Sequence, residues 1–175
     1  GVTNNGLSLA LDKCNGCDAG RLEGGQMCIP VSYAHETHLY IVGTGNPTPE
    51  YTSQARVEGD NLYTCSIVAI NVDTGKMAWY YQTSPHDTHD WDSAQTPVLV
   101  DGDFRGSGPR KMVLTASRNG YYFTLDRRTG EHMVTSTVSD TVNWAKAGLN
   151  ANGQPVREPS KDNQTPGQLV SAGTA

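Results

Sequence analysis

The chain has 175 residues, enough for one domain with a sizeable core, and carries 13 Lys and Arg against 18 Asp and Glu, a net charge of −5. This acidic, unclustered balance argues against a nucleic-acid partner, which would need a basic stripe. No run approaches the ~18 apolar residues of a membrane-crossing helix.

Residues 1–27 are rich in Gly and Asn, and the alternation of Leu7, Leu9 and Leu11 predicts one short strand. Cys14 and Cys17 form a Cys-Asn-Gly-Cys pair. No second Cys-x-x-Cys follows at zinc-ribbon spacing and no His follows Cys17, so neither a zinc ribbon nor covalent haem attachment is indicated. A redox pair, a local disulfide and two unreactive loop thiols all stay open. The start at Gly1, without Met or a signal-peptide pattern, reads as a processed or truncated piece.

Residues 29–33 and 38–43 read as strands joined by a hairpin turn. Gly43-Thr44-Gly45-Asn46-Pro47 breaks the ladder, since Gly permits unusual dihedrals and Pro47 restricts Asn46 to extended backbone. A polar loop runs to Asn61. A strand over 63–71 follows, with Cys65 as a small buried hydrophobe, then a turn at 73–76 and a strand over 77–82. The next stretch, Thr83 to Asp92, packs three carboxylates (Asp87, Asp90, Asp92), two imidazoles (His86, His89) and Trp91 into ten residues. Lying between two strands, it is where chemistry usually sits. A polar turn with solvated acids is the plainer alternative.

The pattern then recurs. Strands are predicted over 96–100, 111–117, 121–126 and 132–137, with a Gly- and Pro-rich loop over 101–109 and a turn at Arg118-Asn119-Gly120. Two Thr-Gly turns, at Gly75 and Gly130, stand 55 residues apart. Four short strands per period describe a β-propeller blade, so the fold class is all-β, a partial β-propeller with blade-like repeats over about 29–82 and 96–137; an antiparallel sandwich is the alternative. Trp79 in the first repeat can lie across the neighbouring blade and bond through its N–H; Val134 takes its place in the second. Residues 138–175 read as a loop-rich excursion. Because propellers use ~4–8 blades, two blades imply a fragment of a larger protein.

The chain resembles the central part of the quinoprotein alcohol dehydrogenases, eight-bladed propellers that bind pyrroloquinoline quinone (PQQ). The segments that carry the resemblance are Gly43-Thr44-Gly45-Asn46-Pro47, Asp60-Asn61, Asp73-Thr74-Gly75-Lys76-Met77-Ala78-Trp79, Pro85-His86-Asp87-Thr88-His89-Asp90 and Ser117-Arg118-Asn119-Gly120. Each is weak alone; together, in the family's order, they are specific, and they cover roughly residues 24–135 well and the flanks loosely.

The resemblance implies roles for particular residues. Asn46 matches a metal ligand, and Asp90 matches an aspartate that is both metal ligand and catalytic base. Arg118 matches the arginine beside the quinone oxygens, where a guanidinium suits the reduced, more negative form. Asp92, two residues beyond Asp90, matches the extra aspartate of the family's lanthanide-using branch. A further carboxylate compensates a trivalent charge, so a lanthanide is favoured over Ca²⁺. The implied reaction is oxidation of a primary or secondary alcohol to an aldehyde or ketone. Asp90 takes the hydroxyl proton, the metal polarises the quinone, and hydride passes to it. His86, Asp87 and His89 are assigned to loop structure or to the surroundings of the ligands, with a zinc site from the two imidazoles and an acid far behind. An Asx turn for Asp90, a surface turn for Arg118 and a turn before proline for Asn46 are the plain alternatives.

One departure stands out. Cys28 occupies the position where the family usually has a tryptophan beneath the PQQ ring, and a thiol covers far less area. The family's metal-binding glutamate and vicinal-cysteine ring cap belong before Gly1 in its usual order, so the isolated chain is expected to bind PQQ poorly. The resemblance further implies a periplasmic location, a small alcohol substrate and a cytochrome c as electron acceptor. A non-enzymatic propeller scaffold, or a polymer-binding module using Trp79 and Trp91, are the competing functions.

Overall fold

The computed structural model describes residues 27–51, 56, 59–162, 167 and 169–172. The strand expected around Leu7–Leu11 and the Cys14/Cys17 pair lie outside them. The first four strands are β1 (Met27–Ala34), β2 (Leu39–Thr44), β3 (Ser66–Asn71) and β4 (Met77–Gln82), hydrogen-bonded in that order as an antiparallel meander. The second four, β5 (Val98–Asp103), β6 (Pro109–Ala116), β7 (Tyr121–Asp126) and β8 (His132–Thr137), repeat the arrangement. These are two consecutive propeller blades, and the fold is that of a partial β-propeller.

Strand ends differ from expectation where side chains or turns redirect the backbone. β3 starts at Ser66 rather than 63, because Asn61 and Cys65 take left-handed backbone, φ 55° and 46°, in a turn closed by the Thr64 N–H to the Asn61 carbonyl at 3.1 Å. β5 runs on through Asp103, where a loop was expected from 101. The Asp103 carboxylate accepts the N–H groups of Gly106 and Gly108, both at 2.6 Å, and so tightens the connection to a few residues. Pro109 opens β6 as the first residue of a strand, a position that needs no N–H. Within the 138–175 excursion the chain also forms a two-stranded sheet, β9 (Ala145–Leu149) with β10 (Pro155–Arg157), and a short 3-10 turn at Pro159–Lys161. That hairpin was hidden by its short strands and by Pro155.

The core lies between the blades. Register sets Ile41, Ala69 and Trp79 in one row across β2, β3 and β4. Val113 and Leu125 pair across β6 and β7. Ile41, Ile67, Phe123, Leu125 and Trp144 are fully enclosed. Trp79 does bridge the blades: its indole Nε1–H donates to the Arg127 carbonyl at 3.1 Å. Gly130, at φ 74°, passes directly beneath the ring, and a Cβ there would lie 2.6 Å from Cε3. Arg127 ties the blades a second time, donating to Glu36 at 2.6 Å and to Asp101 at 2.5 Å. With Trp79 only 8 % exposed, it is not available as a polymer-binding platform.

An up-and-down meander has a simple consequence for position. β2, β4 and β6 all end on the same side of the sheets, and β1 begins there. Cys28, Asn46, Asp90, Asp92 and Arg118, although up to 90 residues apart, are therefore all carried at one end of the two blades.

Candidate functional site

Asn46 follows β2, and its loop is welded to the one carrying Asp90 and Asp92. The Ser93 N–H donates to the Thr44 carbonyl at 3.0 Å, and the Ser93 and Thr83 hydroxyls bond at 2.7 Å. Gly43 lies so close to this loop that a Cβ would sit 1.5 Å from the Ser93 oxygen. The Asn46 N–H donates to Asp92 Oδ1 at 2.7 Å. Its side-chain amide donates Nδ2–H to the Pro47 carbonyl at 2.9 Å, which leaves the Oδ1 oxygen as an available acceptor.

Asp87 shapes the acidic loop. Its buried carboxylate accepts the N–H groups of His89 at 3.1 Å and Trp91 at 3.0 Å, folding the chain around Asp90. Burial pushes the Asp87 carboxyl up, and those two N–H groups pull it back. Asp90 itself adopts φ 64°. A non-glycine residue there costs on the order of 1–3 kcal/mol and persists only where its surroundings impose it. The Asx-turn alternative thus falls to Asp87. Among the described residues, Asp90 accepts no backbone N–H, and its carboxylate faces Arg118 and the phenol of Tyr51.

Arg118, in the turn between β6 and β7, spans the two acids. It stands 3.1 Å from Asp92 Oδ2 and 3.8 Å from Asp90 Oδ2, with side chains 45 %, 23 % and 24 % exposed in that order. Burial first, then the neighbouring Asp92 charge, raises the Asp90 carboxyl above its ordinary range, while Arg118 draws it down. The result is a carboxylate more basic than a free one, with a cation beside it.

Asn119 sets Arg118 against this loop. Fully buried, it donates to the Thr83 carbonyl at 3.0 Å and to Ser84 Oγ at 2.9 Å, and accepts the Tyr121 N–H at 3.0 Å. The Asn119 carbonyl takes the Trp144 indole N–H at 2.5 Å. Cys28, at the start of β1, is half-buried. Its thiol is pushed up by burial and then by the Asp92 charge. The sequence reading passed over the supporting roles of Asn119 and Trp144. Asn119 lies inside a motif already singled out; Trp144 occurs singly in polar surroundings with no periodic signal.

The two imidazoles serve the loop. His86 Nδ1 meets the Gly59 carbonyl at 2.5 Å, and His89 Nε2 meets the Lys161 carbonyl at 2.7 Å while its ring stacks on Trp91. A zinc site from these rings is therefore not supported. The available donors are oxygens, an amide and two carboxylates, which suits a hard cation. Among the described residues no group of three or more His, Cys, Asp or Glu could hold a metal alone. Asn46, Asp90 and Asp92 fit as part of a shell of ~6–8 oxygens, with the remainder supplied from elsewhere.

Fold and site together define a segment of a β-propeller with a hard-cation donor set on its loops. The chain matches the family model described as "PQQ: Glucose/ethanol/alcohol dehydrogenase, beta-propeller domain" over residues 19–165, and it belongs to that family. It is 40 % identical over 134 residues to a quinohemoprotein alcohol dehydrogenase of Comamonas testosteroni, covering 76 % of this chain and 18 % of that protein. Identity is also 40 %, over 114 residues, to a lanthanide-dependent methanol dehydrogenase of Methylorubrum extorquens, covering 65 % of this chain and 18 % of that one. The crystal structure of the Comamonas enzyme superposes with a TM-score of 0.74 at 38 % identity, over 82 % of this chain and 21 % of that one. A europium-containing methanol dehydrogenase superposes with a TM-score of 0.73 at 35 % identity, over 80 % and 24 %. The chain thus spans about a fifth of the length of these relatives.

Proposed function

We propose that this chain is the metal- and base-bearing segment of a PQQ-dependent dehydrogenase that oxidises a primary or secondary alcohol. The observation that carries the reading is the cluster of Asn46, Asp90, Asp92 and Arg118 on converging loops. When bound, PQQ supplies a two-electron acceptor and the cation polarises it. Asn46 Oδ1 and the carboxylates of Asp90 and Asp92 would hold the cation. Asp90, beside Arg118 and facing the same loops, would take the alcohol's hydroxyl proton. Arg118 would supply positive charge toward the oxygens of a bound quinone. Cys28, carried at the same end, would give a bound cofactor less stacking area than an aromatic residue would. The protein works in the periplasm and passes its electrons to a cytochrome c.

Asp92 carries the choice of ion. A second carboxylate beside Asp90 offsets a third positive charge, which favours a lanthanide over Ca²⁺. The test is dye-linked alcohol oxidation by the full-length protein reconstituted with PQQ and either La³⁺ or Ca²⁺. Turnover should be higher with La³⁺, Asp90→Asn should abolish it with either ion, and Asp92→Ala should shift the preference toward Ca²⁺. Undiminished turnover in the Asp90→Asn protein refutes the assignment of the base.

A further inference from the structure

We propose that Arg56 is a positioning residue for this site, a buried guanidinium that sets how far apart the Asn46 and Asp90 loops stand. The inference deepens the metal reading above and rests on it. Arg56 is 5 % exposed. One terminal nitrogen, Nη1, donates to the Pro49 carbonyl, with the Glu50 carbonyl at 3.4 Å. The other, Nη2, donates to the Asp87 carbonyl, and Nε donates to Asn61 Oδ1 at 3.0 Å. Pro49 is three residues beyond Asn46, and Asp87 is three residues before Asp90. One rigid, planar group thus grips the backbone of both loops at the same remove from each ligand.

The remaining contacts give that grip an anchor and a lever. The Asn61 carbonyl accepts the Thr64 N–H at 3.1 Å and the Thr64 hydroxyl at 2.7 Å. The preceding Asp60 carbonyl accepts from Gln82 Nε2 at 2.7 Å and from the His86 N–H at 3.1 Å. Nε therefore bears on a segment pinned to β4. On the other side, the Asp87 carboxylate holds the N–H groups of His89 and Trp91, which flank Asp90. A shift of Asp87 is passed straight to Asp90. Lysine keeps the charge but cannot span these acceptors, because its ammonium is one point at the end of a flexible stem.

The test uses the full-length protein with PQQ and Eu³⁺ as the probe, titrated in chelator buffers and read by luminescence. Arg56→Lys should weaken Eu³⁺ binding about tenfold, as loss of a group supporting metal ligands does. The control is Arg127→Lys, which disturbs a buried guanidinium at the far end of the blades. At a matched loss of Tm it should leave Eu³⁺ affinity unchanged. Asn61→Gly tolerates the φ of 55° and removes the Nε acceptor, so it gives a milder weakening in a protein that keeps its fold. Wild-type Eu³⁺ affinity in Arg56→Lys and Asn61→Gly, or equal weakening in Arg127→Lys at the same Tm, overturns the proposal. Asp90→Asn separates the two readings: if it loses Eu³⁺ while the Arg56 variant does not, only the positioning role fails. If Asp90→Asn and Asn46→Ala both bind Eu³⁺ as wild type does, the metal reading itself fails.

Discussion

Asp92 serves two neighbours through its two oxygens. Oδ1 holds the Asn46 N–H and Oδ2 meets Arg118. Asparagine at 92 keeps an acceptor for the N–H and loses the charge; alanine loses both. Asp92→Asn should therefore stay close to wild-type stability, whereas Asp92→Ala should lose about 1 kcal/mol with the hydrogen bond, as read by chemical denaturation. Equal stability in the two variants would mean that the tether contributes nothing. Asn46, Asp90 and Arg118 were legible in the sequence because each stands in a short motif whose order and spacing resemble one family's. Their mutual geometry was not, because it depends on side chains such as Asp87 and Asn119 that face inward from those same motifs. Nothing in the letters distinguishes a buried loop asparagine from a solvated one.

At the scale of elements, two glycines are fixed by close approach. Gly43→Ala would drive a Cβ into the Ser93 carbonyl. Since the obstacle is backbone rather than a flexible side chain, the acidic loop must move. The expected cost is about 1–3 kcal/mol, as for overpacking elsewhere, accompanied by weaker binding of the ion. Gly130 has no room for a Cβ under the Trp79 indole, so the second Thr-Gly turn and the first blade's tryptophan are one device. Trp79→Phe should cost about 1–3 kcal/mol by leaving the buried Arg127 carbonyl without its donor, detectable as a fall in Tm. The repeat and its indole were visible in the 55-residue spacing of the turns. β4, β7 and β8 begin and end where expected, since alternation and Thr-Gly or Asn-Gly turns bracket them cleanly. The start of β3 and the β9–β10 hairpin were misread for a shared reason: positive-φ residues and short strands leave no hydrophobic period.

In the molecule as a whole, the blades are joined by a polar clamp as well as by apolar packing. Arg127, held against Glu36 and Asp101, lowers both carboxyls; for Asp101 the neighbouring Lys111 acts more strongly still. A depressed folded pKa means that the stabilisation is fully present above the ordinary carboxylate range. It is lost as pH falls through that range, from about pH 4 downward. Both acids face water, so the effect is modest and weakens in high salt. The Tm difference between wild type and Arg127→Met should accordingly narrow between pH 7 and pH 3, and an unchanged gap would assign the clamp's value to packing instead. On the metal reading proposed above, the two blades would supply only part of the ligand shell, so the isolated chain should bind PQQ poorly with either Ca²⁺ or La³⁺. A tight stoichiometric titration in ultraviolet-visible absorbance would contradict this.

The meander that gathers the acids at one end leaves the Phe104–Ser107 turn at the other, with Arg105, Gly106 and Ser107 open to water. A surface-attachment handle grafted at that tip would orient the end carrying Asn46, Asp90 and Arg118 away from its support. A layer attached in this way would present that end of every molecule to solution in the same pose.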